Sequence, residues 1–469
     1  MISDDLNKKD MERRLRPIPL VFILFLFGLP SCTDNKTEIK KSVQLVTLDP
    51  GHFHAALVQK SMYDEVDSTV FVYAPEGNDL QFHLDRIKGY NTRKDDPTHW
   101  NEQVYTGNDF FEKMIAEKKG NVVVLSGNNQ KKTDYILQSL QNGFNVLADK
   151  PMVIDGAGFE KLKQAFDVAT KNNLLLYDIM TERFEINTVL QRELSMIQKI
   201  FGTLEKGTPN DPAITKESVH HFYKYVSGSV LTRPAWFLDA SQQGEGIVDV
   251  MTHLVDLVQW ECFPEQIIDY TKDIEINTAK RWPTVVSLSQ FKAVTKMDSF
   301  PSFLQANITD TMLNVFSNGE INYNIRGVHA KTSVIWNYKA PEGTGDTHYS
   351  IMRGTKANLV IRQGKEENYQ PVLYIEPVTN DPAYETTLME AFKKISSKFN
   401  GVELYKTTNG WSVKLPEQLK EGHEAHFARV TQYFLNYLKN KNMPAWEIPN
   451  MLAKYYTTTK GLELALKNK

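Results

Sequence analysis

Short apolar runs alternating with helical spacing from Val43 to Tyr177 constrain this chain more than any other feature. Val43–Leu48, Val70–Tyr73, Val122–Leu125, Asn145–Ala148 and Leu174–Tyr177 are nearly free of charge, as expected of strands covered on both faces. Between them the spacing predicts helices over Phe53–Lys60, Thr133–Gln141 (stopped by Gly143) and Gly158–Lys171. Strands regularly separated by helices cannot pair as hairpins, so the expected fold is α/β with a parallel, doubly wound Rossmann sheet.

The rhythm changes after Thr181. From Gln266 to Val378 period-two strands dominate, for example Leu313–Phe316 and Thr332–Tyr338, with turn signals at Asn318-Gly319, Pro341-Glu342-Gly343 and Arg353-Gly354. Amphipathic helices over His426–Lys439 and Met451–Leu466 follow. A second, α+β domain with a large, mainly antiparallel open sheet is expected, which offers a face for homo-oligomer contact. The 469 residues then divide into an export signal (1–32), a tether (33–42), a Rossmann dinucleotide-binding domain (43–178) and a substrate-binding domain (179–469). A net charge of -3 leaves no surplus of cations for a phosphate backbone, so nucleic acid is not an expected partner.

Arg13, Arg14 and Arg16 precede the apolar stretch Ile18–Leu29, which has the length of a signal-peptide core and is too short to span a bilayer. It closes on Leu29-Pro30-Ser31-Cys32, which resembles a bacterial lipobox with Cys32 as the lipidated residue. The expectation is a cell-envelope lipoprotein, facing the periplasm or the surface, in the outer membrane and held there only by its lipid. Cys262 would be the one cysteine of the mature body, read as an apolar packer with no disulfide to form.

Two motifs carry chemistry. Asp149-Lys150-Pro151 ends a predicted strand, and ligands of open α/β sheets sit at the carboxyl ends of strands, so Lys150 is aimed at the cofactor crevice. In Gly244-Glu245-Gly246-Ile247-Val248-Asp249-Val250-Met251-Thr252-His253, a glycine-rich turn opens a helix with Asp249 and His253 four residues apart. A carboxylate beside an imidazole suits proton transfer, although the same pair also serves as a structural hydrogen bond.

Together these motifs resemble the glucose-fructose oxidoreductase and inositol dehydrogenase family (Gfo/Idh/MocA). Asp149-Lys150-Pro151 looks like the family's Glu-Lys-Pro; Gly244, Gly246, Asp249, His253 and Asp256 look like its second signature; Arg183-Phe184 resembles the pair that starts its second domain. The resemblance implies NAD or NADP as cofactor, a small carbohydrate as substrate, and oxidation of a secondary hydroxyl of a sugar or cyclitol. It implies that Lys150 contacts nicotinamide ribose and substrate, that His253 takes the hydroxyl proton, and that Asp249 orients substrate or histidine.

The chain departs from the family in its first turn. With Gly51 as the third glycine of Gly-x-Gly-x-x-Gly, Val46 and Leu48 stand where the first two belong. His54 matches a histidine common in the family. After the second strand Glu76 is the nearest candidate for the ribose-binding acid, and Asn128 and Asn129 resemble the cofactor-contacting loop, with Gly127 in place of its proline. The expected cofactor contacts are therefore Gly51, His54, Glu76, Asn128, Asn129, Asp149 and Lys150. His52 and His54 lack further ligands at zinc-like spacing, so no metal is expected. His220, Arg183, Trp236 and Tyr223 are candidate sugar contacts, whereas His423 and His426 read as capping or core features. Two alternatives stay open: an NAD-dependent glycosidase acting through a transient keto-sugar, and a non-catalytic carbohydrate-binding lipoprotein.

Overall fold

The computed structural model describes residues 41–226 and 229–468. Cys32 and the export segment lie outside them. The first sheet has six strands, β1 (Leu45–Leu48), β2 (Thr69–Ala74), β3 (Asn101–Thr106), β4 (Val122–Leu125), β5 (Asn145–Asp149) and β6 (Leu176–Ile179). All pair in parallel in the order β3-β2-β1-β4-β5-β6, the doubly wound dinucleotide-binding arrangement, whose ligand crevice lies where the strand order reverses. Five helices connect them: α1 (His54–Leu57), α2 (Asn78–Thr92), α3 (Phe110–Glu117), α4 (Lys132–Gln141) and α5 (Gly156–Lys171).

Several details differ from the sequence expectation, among them the first strand, which starts at Leu45, and the fifth helix, which starts at Gly156. Val122–Leu125 is the fourth strand, because β3 is an edge strand whose sequence, NEQVYT, is largely exposed and shows no apolar run. The last strand starts two residues later than expected. The helix after the first turn spans only His54–Leu57, since the amides of Gln59 and Lys60 bond carbonyls three residues back and tighten the chain out of the α-helix.

The second domain opens with α6 (Ile186–Ser195) and β7 (Ile214–Tyr223), then the short pair β8 (Tyr225–Val226) and β9 (Ser229–Val230). Three helices follow, α7 (Ala240–Gln243), α8 (Met251–Cys262) and α9 (Tyr270–Asp273), then β10 (Ile274–Val286), α10 (Leu288–Thr295), β11 (Ile308–Thr309), β12 (Met312–Ile325), β13 (Val328–Lys339), β14 (Thr347–Arg353), β15 (Ala357–Arg362) and β16 (Val372–Pro377). The chain continues through α11 (Pro382–Lys398), β17 (Glu403–Thr407), β18 (Gly410–Lys414), α12 (His423–Asn440) and α13 (Glu447–Lys467). The large sheet runs β10-β12-β13-β7-β14-β15-β16-β18-β17 and is antiparallel except between β13 and β7. Helix α8 packs its apolar residues Leu254, Val255 and Val258 into the core on this sheet. Cys262 at its end is half-buried.

The two final helices do not keep to the second domain. Phe427, Val430 and Phe434 of α12 and Met451 and Tyr455 of α13 complete the core of the first sheet, while Ala453, Leu462 and Ala465 of α13 join that of the second. Among the described residues no helix is long and apolar enough to cross a membrane.

Candidate active site

Lys150 leaves the end of β5 at the crevice. The Asp149 carboxylate before it turns inward: Oδ2 accepts from Ser126 Oγ and lies 2.9 Å from His54 Nδ1. Burial opposes its charge, but His54, Lys132 and His52 outweigh that and hold the carboxyl well below the usual range. Lys132 donates to the Asp149 carbonyl at 3.1 Å, and burial pushes its ammonium down to about 8. His52 lies 3.6 Å from the same carboxylate. The fold thus adds Asp149 as a third ligand-type group beside His52 and His54, which sequence spacing did not reveal. Lys132 and Lys150 already supply positive charge there.

The second domain brings its signature to Lys150. The turn needs its glycines: Gly244 has φ +92°, and a Cβ on Gly246 would stand 1.8 Å from the Ser317 carbonyl oxygen of β12. Helix α8 begins only at Met251, so Asp249 sits in the turn before it and faces Lys150, not His253. Lys150 Nζ donates to Asp249 Oδ1 at 2.7 Å, and Gln243 Nε2 donates to Oδ2 at 3.0 Å. Burial disfavours the ammonium, yet Asp249 and Asp149 together raise its pKa, so Lys150 stays charged. His253 is the opposite case. Burial and then Lys150 drive its pKa well below 6.5, leaving a neutral imidazole whose Nδ1 has no partner among the described residues. Lys150, Asp249 and His253 line one cavity with about 520 Å³ of room for water-sized occupants.

The remaining candidates fall into three groups. Gly51 and the Asn128-Asn129 loop border the crevice: the Asn128 amide donates to Gln242 Oε1, and that of Asn129 to the Gln243 carbonyl, so the loop is tied to the second domain. Gly127 replaces proline because its Cα packs on the first turn, where a Cβ would come 2.2 Å from the Asp49 carbonyl. His220 lines the cavity, stacked on Trp336 and 3.3 Å from Asp346 Oδ2.

Others need correction. Arg183 is not a sugar contact: its guanidinium is buried between Asp256, at 2.7 Å, and Glu447, at 3.1 Å. Trp236 stands over Gly51 and donates to Asp79 Oδ2, which places it at the dinucleotide turn instead of the sugar cavity. Glu76 is exposed, and Asp79 is the acid that reaches the turn. His423 lines the cavity although it read as a helix cap.

Sequence reasoning missed Glu182 and Arg233, which also line the cavity. Glu182 stands beside the Arg183-Phe184 pair and Arg233 three residues before Trp236, so proximity to those motifs was their one signal. Burial, then Glu185, push the Glu182 carboxyl up to about 7.

The crevice fits a nicotinamide dinucleotide at two observed points. At Gly51 a Cβ would stand 3.0 Å from the Trp236 ring and 3.1 Å from Asp79 Oδ2, so the turn that opens the crevice leaves little room for a side chain. At the other end a charged lysine meets a neutral histidine over the sugar-sized cavity. Fold and site define a two-domain, NAD(P)-dependent oxidoreductase.

Comparison with known proteins agrees. Residues 85–177 match "Oxidoreductase family, NAD-binding Rossmann fold", and residues 190–466 match "Putative oxidoreductase C terminal domain". A crystal structure from Parabacteroides merdae, described as a "putative oxidoreductase", is 56% identical, covers 92% of this chain and 99% of its own, and superimposes with a TM-score of 0.91. The fold alone is shared with GenD2 from gentamicin A biosynthesis, in complex with NAD (14% identity, 92% and 96% coverage, TM-score 0.55). It is also shared with a 3-ketoreductase from Actinomadura kijaniata in complex with NADP (13% identity, 89% and 95% coverage, TM-score 0.52). A search of curated proteins found no significant match. The chain belongs to the Gfo/Idh/MocA oxidoreductase family.

Proposed function

We propose that the enzyme reversibly oxidises a secondary hydroxyl of a sugar or cyclitol, with a dinucleotide that stays bound between turnovers. One observation carries this reading: charged Lys150 and neutral His253, with Nδ1 unpartnered among the described residues, line the same cavity. Lys150, fixed by Asp249, would donate to the substrate oxygen and stabilise the negative charge that develops on it. His253 would take the hydroxyl proton on a ring nitrogen left free in its neutral form. Asp249, itself oriented by Gln243, positions the ammonium. The first turn around Gly51, the Asn128-Asn129 loop and Lys150 would hold the dinucleotide, which supplies the hydride acceptor when bound. The test is mass spectrometry of the purified protein for NAD or NADP, followed by a panel of sugars and cyclitols read by nicotinamide absorbance. A protein that carries no dinucleotide and reduces none ends this reading.

Glu182 favours a second reading. A carboxyl pushed up to about 7 retains its proton in much of the population near neutral pH, and can protonate a departing glycosidic oxygen. Oxidation of a neighbouring carbon would then serve net hydrolysis. Release of the aglycone from aryl glycosides without net cofactor reduction distinguishes this from simple dehydrogenation.

We also propose envelope attachment through Cys32. Incorporation of labelled palmitate, lost in Cys32→Ser, tests it.

A further inference from the structure

The cavity contains a cation that the proposed chemistry does not use. Arg233 follows β9 and is 5% exposed. Its Nε donates to the Phe222 carbonyl at 3.0 Å and its Nη2 to the His221 carbonyl at 3.1 Å, which fixes the guanidinium against the end of β7. The rings of Phe237 and Trp336 lie 4.4 and 5.4 Å from Cζ and pack against the guanidinium. Burial lowers its pKa to about 10, so it remains charged at neutral pH.

The other cations lining the cavity are neutralised: Lys150 by Asp249 and Lys224 by Asp346. Among the described residues Arg233 has no carboxylate at ion-pair distance, and Nη1 makes no hydrogen bond. A desolvated charge left in this state is costly, and an incoming anion removes the cost. With Nε and one Nη2 hydrogen taken, the Nη1–Nη2 edge is left, a pair of parallel N–H groups that matches the two oxygens of a carboxylate.

We propose that Arg233 anchors a carboxylate of the substrate, so that the sugar accepted here is a uronic acid. This rests on the reading of the site as a sugar oxidoreductase and specifies its substrate class. The guanidinium also borders the smaller cavity at Gly51, where a dinucleotide diphosphate would be the competing oxyanion. Arg233 also lines the larger cavity with Lys150 and His253, where the carboxylates Asp249 and Asp346 are each paired with a lysine, and this favours the substrate.

The experiment titrates the dinucleotide-loaded protein with matched pairs, the methyl glycosides of glucuronate, galacturonate and mannuronate against those of glucose, galactose and mannose. At least one uronoside should bind tenfold or more tightly than its neutral partner. Arg233→Gln should abolish the preference and Arg233→Lys keep part of it, with NADH affinity within twofold of the wild type in both. No uronoside preference in the wild type overturns the proposal, whether or not the variants fold. So does a preference that survives Arg233→Gln, or a loss that falls on NADH instead. Oxidation of neutral sugars without uronoside preference overturns the anchor but leaves the oxidoreductase. Arg233-dependent uronoside binding without any transfer of reducing equivalents does the reverse.

Discussion

Lys150 Nζ and Asp249 Oδ1 meet at 2.7 Å, an ammonium from the end of a parallel strand and a carboxylate from the turn of the other domain. Neither domain alone contains the pair, so the junction between them assembles the site.

Removing the ammonium should lower activity and also cost stability, because it leaves the buried Asp249 carboxylate with Gln243 as its remaining side-chain partner. Lys150→Ala is expected to lower turnover by about 10²–10³-fold in the protein that still carries dinucleotide. Single-turnover kinetics beside a cofactor assay checks this, and full turnover in the variant would exclude Lys150 from the reaction.

Arg183 should affect folding more than chemistry. Its guanidinium satisfies Asp256 and Glu447, and Asp256 also accepts from Lys454, which in turn pairs with Asp178. Arg183→Met leaves buried carboxylates short of a partner and should cost about 3–5 kcal/mol of stability. Urea denaturation measures the loss. A large rise in KM with unchanged stability would return Arg183 to the substrate site.

His83 makes the fold sensitive to acid. It is 4% exposed, both ring nitrogens lack partners among the described residues, and burial followed by Arg86 lowers its pKa to about 4. The unfolded ring takes up a proton near its ordinary 6.5, whereas the folded ring does so only near 4. Its contribution to stability is thus complete above about pH 6.5 and is lost as pH falls toward 4, at about 1.4 kcal/mol per pH unit. Melting curves from pH 7.5 to 4.5 should show a shallower decline for His83→Gln; identical slopes would refute the assignment.

Two glycines provide a matched comparison. Gly246→Ala sets a Cβ 1.8 Å from a backbone oxygen of the large sheet and should destabilise by about 1–3 kcal/mol while pulling Asp249 from Lys150. Gly89→Ala, inside α2 with nothing near its Cβ, should stabilise by about 0.5–1 kcal/mol. Thermal melts of both variants, with activity for the first, test the contrast.

The legible parts of the sequence were those where local pattern and tertiary role coincide. Strands β1, β4 and β5 are wholly buried, so their apolar runs revealed a parallel sheet, and the glycines before Asp249 marked a close approach that only glycine allows. Where the role depends on a distant partner the pattern was silent. Strand β3 is an exposed edge and looks like loop. Arg183 read as a sugar contact because Glu447, its second partner, lies at the far end of the chain, while Arg233 drew no notice because its free edge exists only once β7 supplies the carbonyls of His221 and Phe222. The helical spacing of Asp249 and His253 was misleading for a local reason: the helix starts between them.

Phe427, Phe434 and Tyr455 close the interior of a sheet whose strands were all synthesised long before them. A ribosome-bound chain still lacking α12 and α13 would therefore present open apolar surface on its dinucleotide half. Any attempt to graft residues 43–178 onto another substrate domain would have to supply those two helices as well.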